Sequence, residues 1–477
     1  MFAIVSERSA PEWAAAIEVL AAAEPQHRFV FRTDAQLDAL NDDEVAAAYA
    51  GADAVLLVHL FGAEADRMLG LLDRRPPRRA RVVLGLNGDP RIGTRSRIGE
   101  RALFAGADEA TFEALSTAFG AQADVLAAAR RLEARYPAQA EYVRAKTYWD
   151  ARTDANTVAL LRYLLQLAGA RIDVPAPEPA PELLFAWNGG QSERPPRLER
   201  SRSAVVVLDY VGARRRADRP LHDALCAAIE RRELACVRVL AKWGEASVRA
   251  VELLASHGVG APLAAIVSLQ DFVIGAGAGH DRVSRAFERL DVPVLKAVRL
   301  DDRDEATWRA SEDGLPWDSV HYRIAMPEVQ GLGQPAIVAV AGAVVDDATT
   351  GLRYRTLTPV QDEVDALAQR VHRWWRLQTL PNSEKRVAIV YYNHPPGRHN
   401  IGADNLDVPA SLFEILRTLA RDGYDVGELP ESPEALLAML QARGVNLPQD
   451  RAQLAAMAES VETLDIATYA RWLDALP

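Results

Sequence analysis

One loop concentrates side chains that can bind ligands or transfer protons. Residues 393–409 contain two imidazoles, one guanidinium, three amides and two carboxylates. The loop separates residues 386–392, which read as a buried strand, from a helix predicted over residues 410–422. In doubly wound sheets ligands bind outside the carboxyl ends of strands, and loops much longer than 2–6 residues tend to be functional. The alternative interpretation is an elaborate turn, in which Asp407 caps the helix ahead of Pro409.

A second segment that could serve chemistry is residues 315–331. Here Met326, Pro327 and Glu328 follow an apolar run and precede a turn. Glu328 could hold a carboxylate in a cleft. The residues alone favour a solvated turn residue over this interpretation, and both stay open.

Several common reaction centres are excluded by spacing. A phosphate-binding P-loop needs glycine directly before its lysine. The four lysines follow Ala, Ala, Leu and Glu: Lys146, Lys242, Lys296 and Lys385. We therefore expect no ATP hydrolysis by that route. Residues 275–280 imitate a dinucleotide fingerprint but place His280 where the third glycine belongs, which favours a flexible turn. His394 and His399 could both reach one metal ion, although nothing in their spacing enforces it.

Composition narrows the class of protein. The 477 residues carry a net charge of −11, which argues against broad binding to nucleic acid or anionic membranes. No apolar span of about 18 residues lacks charges, so no transmembrane helix is expected. The start of the chain has no basic, cleavable leader, and a cytoplasmic location follows as the default. Cys226 and Cys236 are expected to be buried, unpaired thiols in that reducing compartment.

The elements that must position these residues follow an α/β pattern. Short apolar runs at residues 2–6, 54–60 and 81–86 alternate with amphipathic helical stretches, and the pattern restarts at residues 204–208. Such alternation is typical of mostly parallel sheets that are covered on both faces. The fold class predicted is α/β, with two mostly parallel, Rossmann-like domains, a helical extension on the first, and the start of a third unit.

Proline-rich sequence suggests where the domains divide. Residues 174–181 alternate proline with other residues and can form neither a helix nor a central strand. We predict an N-terminal α/β domain with its helical extension over residues 1–173 and a linker region over residues 174–203. A second α/β domain should span residues 204–382. Residues 383–477 should begin a third unit. One βα unit cannot form a stable sheet alone, so this segment is expected either to pack on the second domain or to be truncated.

The loop and its flanks resemble a hallmark of the large subunits of cobalt and magnesium chelatases. That hallmark is an apolar strand, Asn, an aromatic residue, Pro-Pro, a short polar stretch, Asn-x-Gly, and a helix after Leu-Asp-Val/Thr-Pro. The residues that carry it run Lys385-Arg386-Val387-Ala388-Ile389-Val390-Tyr391-Tyr392-Asn393-His394-Pro395-Pro396-Gly397-Arg398-His399-Asn400-Ile401-Gly402, then Leu406-Asp407-Val408-Pro409. His394 departs from the usual aromatic. The Pro-Ala-Ser start of the helix looks more like the cobalt branch.

The resemblance implies a function and its participants. It implies ATP-dependent insertion of Co²⁺ into hydrogenobyrinic acid a,c-diamide in cobalamin biosynthesis. Cobalt is then the substrate metal, and partner subunits of the AAA+ and integrin-like kinds use ATP and Mg²⁺. The implied proton-transfer residues are Glu328, His399 and Asp404, with no metal ligand assigned. The implied ring-binding residues are Asn393, Pro395, Pro396, Arg398, Asn400 and Gly402.

Three alternatives remain at this point. The chain could be similar to a magnesium chelatase large subunit. It could be a non-catalytic scaffold or split-gene piece, because the family's large C-terminal body has no counterpart here and the chain alone is expected to be inactive. It could also be an unrelated α/β enzyme, such as a sugar-nucleotide transferase.

Overall fold

The protein is described by a computed structural model in two compact units, Met1–Trp375 and Arg376–Pro477. The residues described are 1–104, 112–115, 117, 125–211, 215–275, 277–392, 401–402, 405–443, 451–452, 455, 459 and 463–476. Among the helices of these residues, none is long and apolar enough to cross a membrane.

The first unit begins with a six-stranded sheet in the order β2-β1-β3-β4-β5-β6. Strands β1 to β4 pair in parallel, while β5 and β6 are short and antiparallel. The strands are β1 Phe2–Val5, β2 Val30–Thr33, β3 Ala54–Val58, β4 Val82–Leu86, β5 Arg97–Ile98 and β6 Arg101–Ala102. All residues of β1, β3 and β4 are buried. Continuous apolar strands of this kind require helices on both faces.

Helices cover both faces of this sheet and continue into the predicted helical extension. They are α1 Ala10–Ala23, α2 Asp34–Ala39, α3 Asp42–Ala50, α4 Gly62–Arg74, α5 Pro90–Gly93, α6 Val125–Arg135, α7 Ala140–Asp150 and α8 Asp154–Leu167. One apolar core packs α1, α7 and α8 on one face, with Trp13 stacked on Trp149 at 5.7 Å between ring centroids. A second core packs α3 and α4 on the other face.

The same unit contains an eight-stranded sheet in the order β14-β13-β12-β11-β9-β10-β7-β8. Its five central strands, β9 to β13, run parallel, and its outer strands are antiparallel. The strands are β7 Leu183–Trp187, β8 Gly190–Ser192, β9 Ala204–Tyr210, β10 Ala235–Ala241, β11 Leu263–Ser268, β12 Val294–Leu300, β13 Gly333–Asp346 and β14 Arg353–Pro359.

Helices also cover both faces of the second sheet, with one apolar core on each face. They are α9 Arg215–Glu230, α10 Glu245–His257, α11 Ala278–Leu290, α12 Glu305–Arg309, α13 Trp317–Val320, α14 Met326–Val329 and α15 Gln361–Thr379. A π-helical turn, His321–Ala325, joins α13 to α14.

The two sheets share a strand order. In each, the first parallel strand is flanked by the second and the third, as β2-β1-β3-β4 and as β10-β9-β11-β12-β13. The order reverses between β1 and β3 and between β9 and β11, and this is where open α/β sheets open a crevice for ligands. The predicted fold class, with two mostly parallel sheets and added helices, is confirmed.

Helices of the second unit include α16 Val408–Arg421, α17 Pro433–Arg443 and α18 Ile466–Asp474. The predicted capping by Asp407 is present, because its side chain accepts a hydrogen bond from the backbone N–H of Ala410 at 3.0 Å. A small core joins Ile401, Val408 and Leu412 to α17.

Two expectations about strands differ from the structure. Residues 386–392 form no strand; Val387 and Val390 are 55% and 94% exposed, and no neighbouring strand among the described residues supplies the hydrogen bonds that a strand needs. Residues 183–192, inside the predicted linker, form β7 and β8 at the edge of the second sheet. The division of the chain into domains at residues 173, 203 and 382 otherwise stays a prediction.

The expectation of unpaired thiols is wrong. Cys226 and Cys236 form a disulfide, with their Cα atoms 5.3 Å apart. Helix α9 packs on β10, and this packing brings the two side chains together within the Cα separation that a disulfide allows. The pairing depends on tertiary contact, which the spacing of ten residues alone did not indicate.

Candidate functional site

Most of the residues predicted to form a site lie outside the described residues. These are Asn393, Pro395, Pro396, Arg398, His399, Asn400 and Asp404. Gly402 is described, next to the buried Ile401 in the second unit. Their roles therefore remain predictions.

Glu328 belongs to α14 of the first unit, and its side chain is exposed. Its neighbours anchor the turn: Pro327 is buried, and the Gln330 side chain accepts from the backbone N–H of Ile274 at 2.8 Å and donates to its carbonyl at 3.0 Å. These bonds hold the end of α14 against the loop after β11. Glu328 itself faces solvent at the surface of this turn.

A buried group of charges lies at the carboxyl edge of the second sheet. Asp209 near the end of β9 receives two hydrogen bonds from the Arg299 guanidinium near the end of β12, at 2.7 and 3.0 Å. His222 of α9 contacts the same carboxylate through Nε2 at 2.7 Å, and Asp218 lies 3.2 Å from Arg299. All four residues are at least 93% buried, since Arg299, the most exposed, retains 7%. A bidentate guanidinium–carboxylate pair is the strongest arrangement for such charges.

The surroundings determine which of these groups are ionised. Burial alone would raise the pKa of the Asp209 carboxyl, but Arg299 and His222 outweigh that effect and hold the pKa well below its ordinary value. Burial likewise opposes the charge on Arg299, but Asp209 and Asp218 raise the pKa of its guanidinium. Asp209 and Arg299 therefore form an ionised, mutually neutralising pair.

Further polar contacts tie this cluster to neighbouring strand ends. Gln270, after β11, donates to the Asp209 carbonyl at 3.1 Å and to Ser247 Oγ at 3.0 Å. Arg323 donates to the Arg299 carbonyl at 2.7 Å and to Asp301 at 2.8 Å. The order-reversal point of the second sheet is thus filled by protein side chains, which rigidify it.

An open cleft lies beside this cluster, where the carboxyl ends of the two sheets face each other. Its volume is about 360 Å³. Six carboxylate residues line it: Glu7, Asp34, Asp38, Glu64, Asp301 and Asp302. Arg8 reaches Asp301 at 3.4 Å across the cleft, and the backbone N–H of Arg355 donates to Glu7 at 2.8 Å. The cleft suits a cationic or hydroxyl-bearing ligand.

The described residues offer no evident metal centre. Within the parts of the chain that the structure describes, no three His, Cys, Asp or Glu side chains come together as possible ligands of one ion. The carboxylates of the cleft are therefore too dispersed to form a dedicated cage.

The carboxyl edge of the first sheet carries two residues with left-handed backbones. His59, after β3, has φ 60°, and Asn87, after β4, has φ 48°. The Lys146 ammonium donates to the Asn87 side chain at 2.5 Å and pairs with Asp150 at 2.9 Å. The His59 side chain is exposed, and its pKa is lowered, first by partial desolvation against the surrounding protein and then by Arg152 and other cations. This edge therefore presents a neutral imidazole at physiological pH.

Sequence reasoning did not select Asp209, Arg299 or His59 as functional candidates. The available signal was a charged residue near the end of an otherwise apolar strand, as in AVVVLDY and VLKAVRL. A charge placed in a buried strand requires a partner, which the sequence could not name.

Comparison with known proteins decides the family. Residues 146–477 match the family model described as CobN/Magnesium Chelatase, which is more than half of the chain. The chain belongs to this family. The family assignment confirms the resemblance found in the loop and its flanks.

Individual relatives include both metal branches. The chain is 35% identical over 184 residues to a magnesium-chelatase subunit of Chlorobaculum parvum, covering 37% of this chain and 13% of that protein. It is 31% identical over 202 residues to the aerobic cobaltochelatase subunit CobN of a Sinorhizobium species, covering 42% of this chain and 15% of that protein. The matched stretches thus span only about a seventh of these relatives.

A solved structure supports the fold. The catalytic subunit of cobaltochelatase from Mycobacterium tuberculosis superposes with a TM-score of 0.58 at 20% identity. The superposition covers 93% of this chain and 33% of that one. At this identity the likeness concerns the fold alone.

Proposed function

We propose that this chain is the N-terminal, tetrapyrrole-binding part of the large subunit of an ATP-dependent cobaltochelatase. Its substrates would be Co²⁺ and hydrogenobyrinic acid a,c-diamide, in cobalamin biosynthesis. The observation that carries the proposal is the family match over residues 146–477. The activity belongs to the assembled enzyme, since the chain matches only part of its relatives' length.

Metal insertion requires residues that bind the ring and bases that accept its protons. As the metal enters, the two pyrrolic N–H bonds break, two nitrogen–metal bonds form in their place, and two protons leave. Carboxylate or imidazole groups must accept those protons. We assign this role to Glu328, His399 and Asp404. The ring's carboxylate arms suit Arg398, with Asn393, Pro395, Pro396, Asn400 and Gly402 shaping the same loop.

The partners proposed are AAA+ and integrin-like subunits that use ATP and Mg²⁺. This division of labour is supported by the chain's four lysines, none of which follows the glycine that a P-loop requires. We expect the purified chain to show no ATPase activity of its own.

Cobalt is preferred over magnesium on one feature, the Pro409-Ala410-Ser411 start of α16. A magnesium chelatase is the second candidate, because the relatives include a magnesium-chelatase subunit at 35% identity. Reconstitution with both kinds of partner subunits separates them. Co²⁺ insertion into the corrin-type ring supports the first, and Mg²⁺ insertion into protoporphyrin IX would support the second.

Replacing Arg398 tests the loop in the assembled large subunit. A charge-assisted hydrogen bond is worth roughly 1.5–3 kcal/mol, or about one to two decades of affinity. Arg398→Ala should weaken hydrogenobyrinic acid a,c-diamide binding by that factor, measured by fluorescence quenching, with the melting temperature nearly unchanged. Arg417→Ala is the matched control, because it removes an exposed guanidinium from α16. Equal affinities for the two variants would show that Arg398 does not contact the ring, and the loop would then be interpreted as a structural turn.

A further inference from the structure

A second cavity lies at the amino edge of the eight-stranded sheet, opposite the buried charge cluster. Its volume is about 780 Å³, within the range of about 300–1,000 Å³ typical of small-molecule sites. It is bounded by residues 194–200, which precede β9, and by the turn after α10, which precedes β11.

Backbone contacts hold the two walls of this cavity together. The backbone N–H of Leu198 donates to the Val259 carbonyl at 2.8 Å. Gly260 has φ +85°, and a Cβ at this position would lie 2.7 Å from Leu198 N and 2.8 Å from its carbonyl oxygen. Only glycine allows so close an approach. Pro195 and Pro196 stiffen the same wall, so the cavity has a defined shape.

Three guanidiniums border the cavity, and none of its described lining residues is a carboxylate. Arg194, Arg197 and Arg200 are exposed, and the side chain of each has no ion-pair partner within 4.0 Å among the described residues. His257 adds a fourth nitrogen-bearing side chain. Glu193 and Glu199 belong to the same segment but do not line the cavity, so the lining itself carries an excess of positive charge, which attracts anions.

The remaining walls are apolar. Pro195, Pro196, Leu198 and Leu253 line the space between the arginines. An inorganic anion would satisfy the guanidiniums but leave these walls in contact with water. A ligand with an apolar body and several carboxylate arms would satisfy both, because guanidinium binds carboxylate in a planar, bidentate manner.

We propose that this cavity binds an apolar ring that carries several carboxylates, with Arg197 and Arg200 contacting the carboxylates. The inference rests on the proposed function in taking the ring to be a tetrapyrrole. It adds a binding surface at the amino edge of the second sheet, formed by residues other than those of the loop 393–407.

The test uses the full chain and deuteroporphyrin IX, which has two carboxylates, with fluorescence quenching as the readout. The variant is Arg197→Gln/Arg200→Gln. The control is Arg28→Gln/Arg78→Gln, which removes two exposed guanidiniums that have no ion-pair partner among the described residues, elsewhere in the first unit. We expect the first variant to weaken binding at least about tenfold, because two charge-assisted hydrogen bonds are lost. The control should bind like the parent protein.

The dimethyl ester of deuteroporphyrin tests the role of the carboxylates. It should bind the parent protein weakly, and the difference between parent and Arg197→Gln/Arg200→Gln should vanish. Equal deuteroporphyrin affinity for parent and variant would overturn the cavity proposal while leaving ring binding by the chain intact. Absence of binding to the parent would overturn both. Binding of inorganic phosphate, at an ionic strength matched with KCl, by a parent protein that does not bind deuteroporphyrin would instead identify a phosphate site and reject the ring.

Discussion

The charged side chains at the two edges of the eight-stranded sheet differ in burial and in pairing. At the carboxyl edge, Asp209 and Arg299 are buried and bonded to each other, with His222 against the carboxylate. At the amino edge, Arg197 and Arg200 are exposed and lack ion-pair partners among the described residues. Buried, paired charges stabilise the fold, whereas exposed guanidiniums that border a cavity can still bind a ligand. The usual expectation that the carboxyl edge holds the ligand is therefore not a sufficient guide here.

The largest expected effect comes from breaking the buried pair. Arg299→Met removes the guanidinium that contacts both oxygens of Asp209 and leaves this buried carboxylate with His222 but without its cationic partner. Loss of one partner of a buried ion pair costs about 3–5 kcal/mol. We expect that loss in the free energy of unfolding, measured by urea denaturation.

An exposed pair provides the control for that measurement. Arg79 pairs with Asp53 at 3.0 Å, with both side chains more than half exposed. Arg79→Met should cost less than about 1 kcal/mol. Similar losses of unfolding free energy for Arg299→Met and Arg79→Met would mean that the buried Asp209–Arg299 pair stabilises the fold no more than an exposed pair does.

The next effect concerns the wall of the amino-edge cavity. Gly260→Ala places a Cβ against the backbone of Leu198 and forces alanine into a left-handed conformation. Such strain costs on the order of 1–3 kcal/mol. The melting temperature should fall, whereas Gly51→Ala, at a position with open space and an ordinary φ, should leave it nearly unchanged. Equal melting temperatures would show that the two walls are not held in contact.

Acidification should weaken the carboxyl edge through Asp209. Its pKa is lowered in the folded protein, so at low pH the unfolded state binds the proton first. The stabilisation is present above the unfolded pKa of about 3.9 and is lost as the pH falls below it. Urea denaturation between pH 5 and pH 3 should show stability falling with pH. Asp209→Asn should be less stable at pH 5 and show a shallower decline, and an unchanged slope would contradict the assignment.

Much of the fold could be predicted, because each buried parallel strand is a short, continuous run of apolar residues in the sequence. The strand at residues 204–208 is one example, observed as β9. The same logic failed at residues 386–392, where strand-like sequence has no partner strand among the described residues. It also missed β7, which follows directly after the proline run at residues 174–181. Strand propensity describes compatibility with a sheet, and the neighbouring strand decides whether one forms.

The site was harder to predict because its members are distant in sequence. Asp209 and Arg299 are separated by 90 residues and meet only through the strand order of the sheet. The Cys226–Cys236 disulfide similarly depends on how α9 packs. The loop 393–407 was found because its side chains are contiguous, and its family resemblance agrees with the match over residues 146–477.

The smallest expected effect on stability is that of Arg197→Gln, and it tests directly whether the charges of the two edges differ in role. Arg197 makes no ion pair with a described residue and is exposed, so Arg197→Gln should change the free energy of unfolding by no more than about 0.5 kcal/mol. A guanidinium that stabilised the fold would cost more than this when removed. Urea denaturation of Arg197→Gln beside Arg299→Met makes the comparison under one set of conditions. A loss above about 1 kcal/mol for Arg197→Gln would place this arginine in the structural framework and remove it from the group of charges available to a ligand.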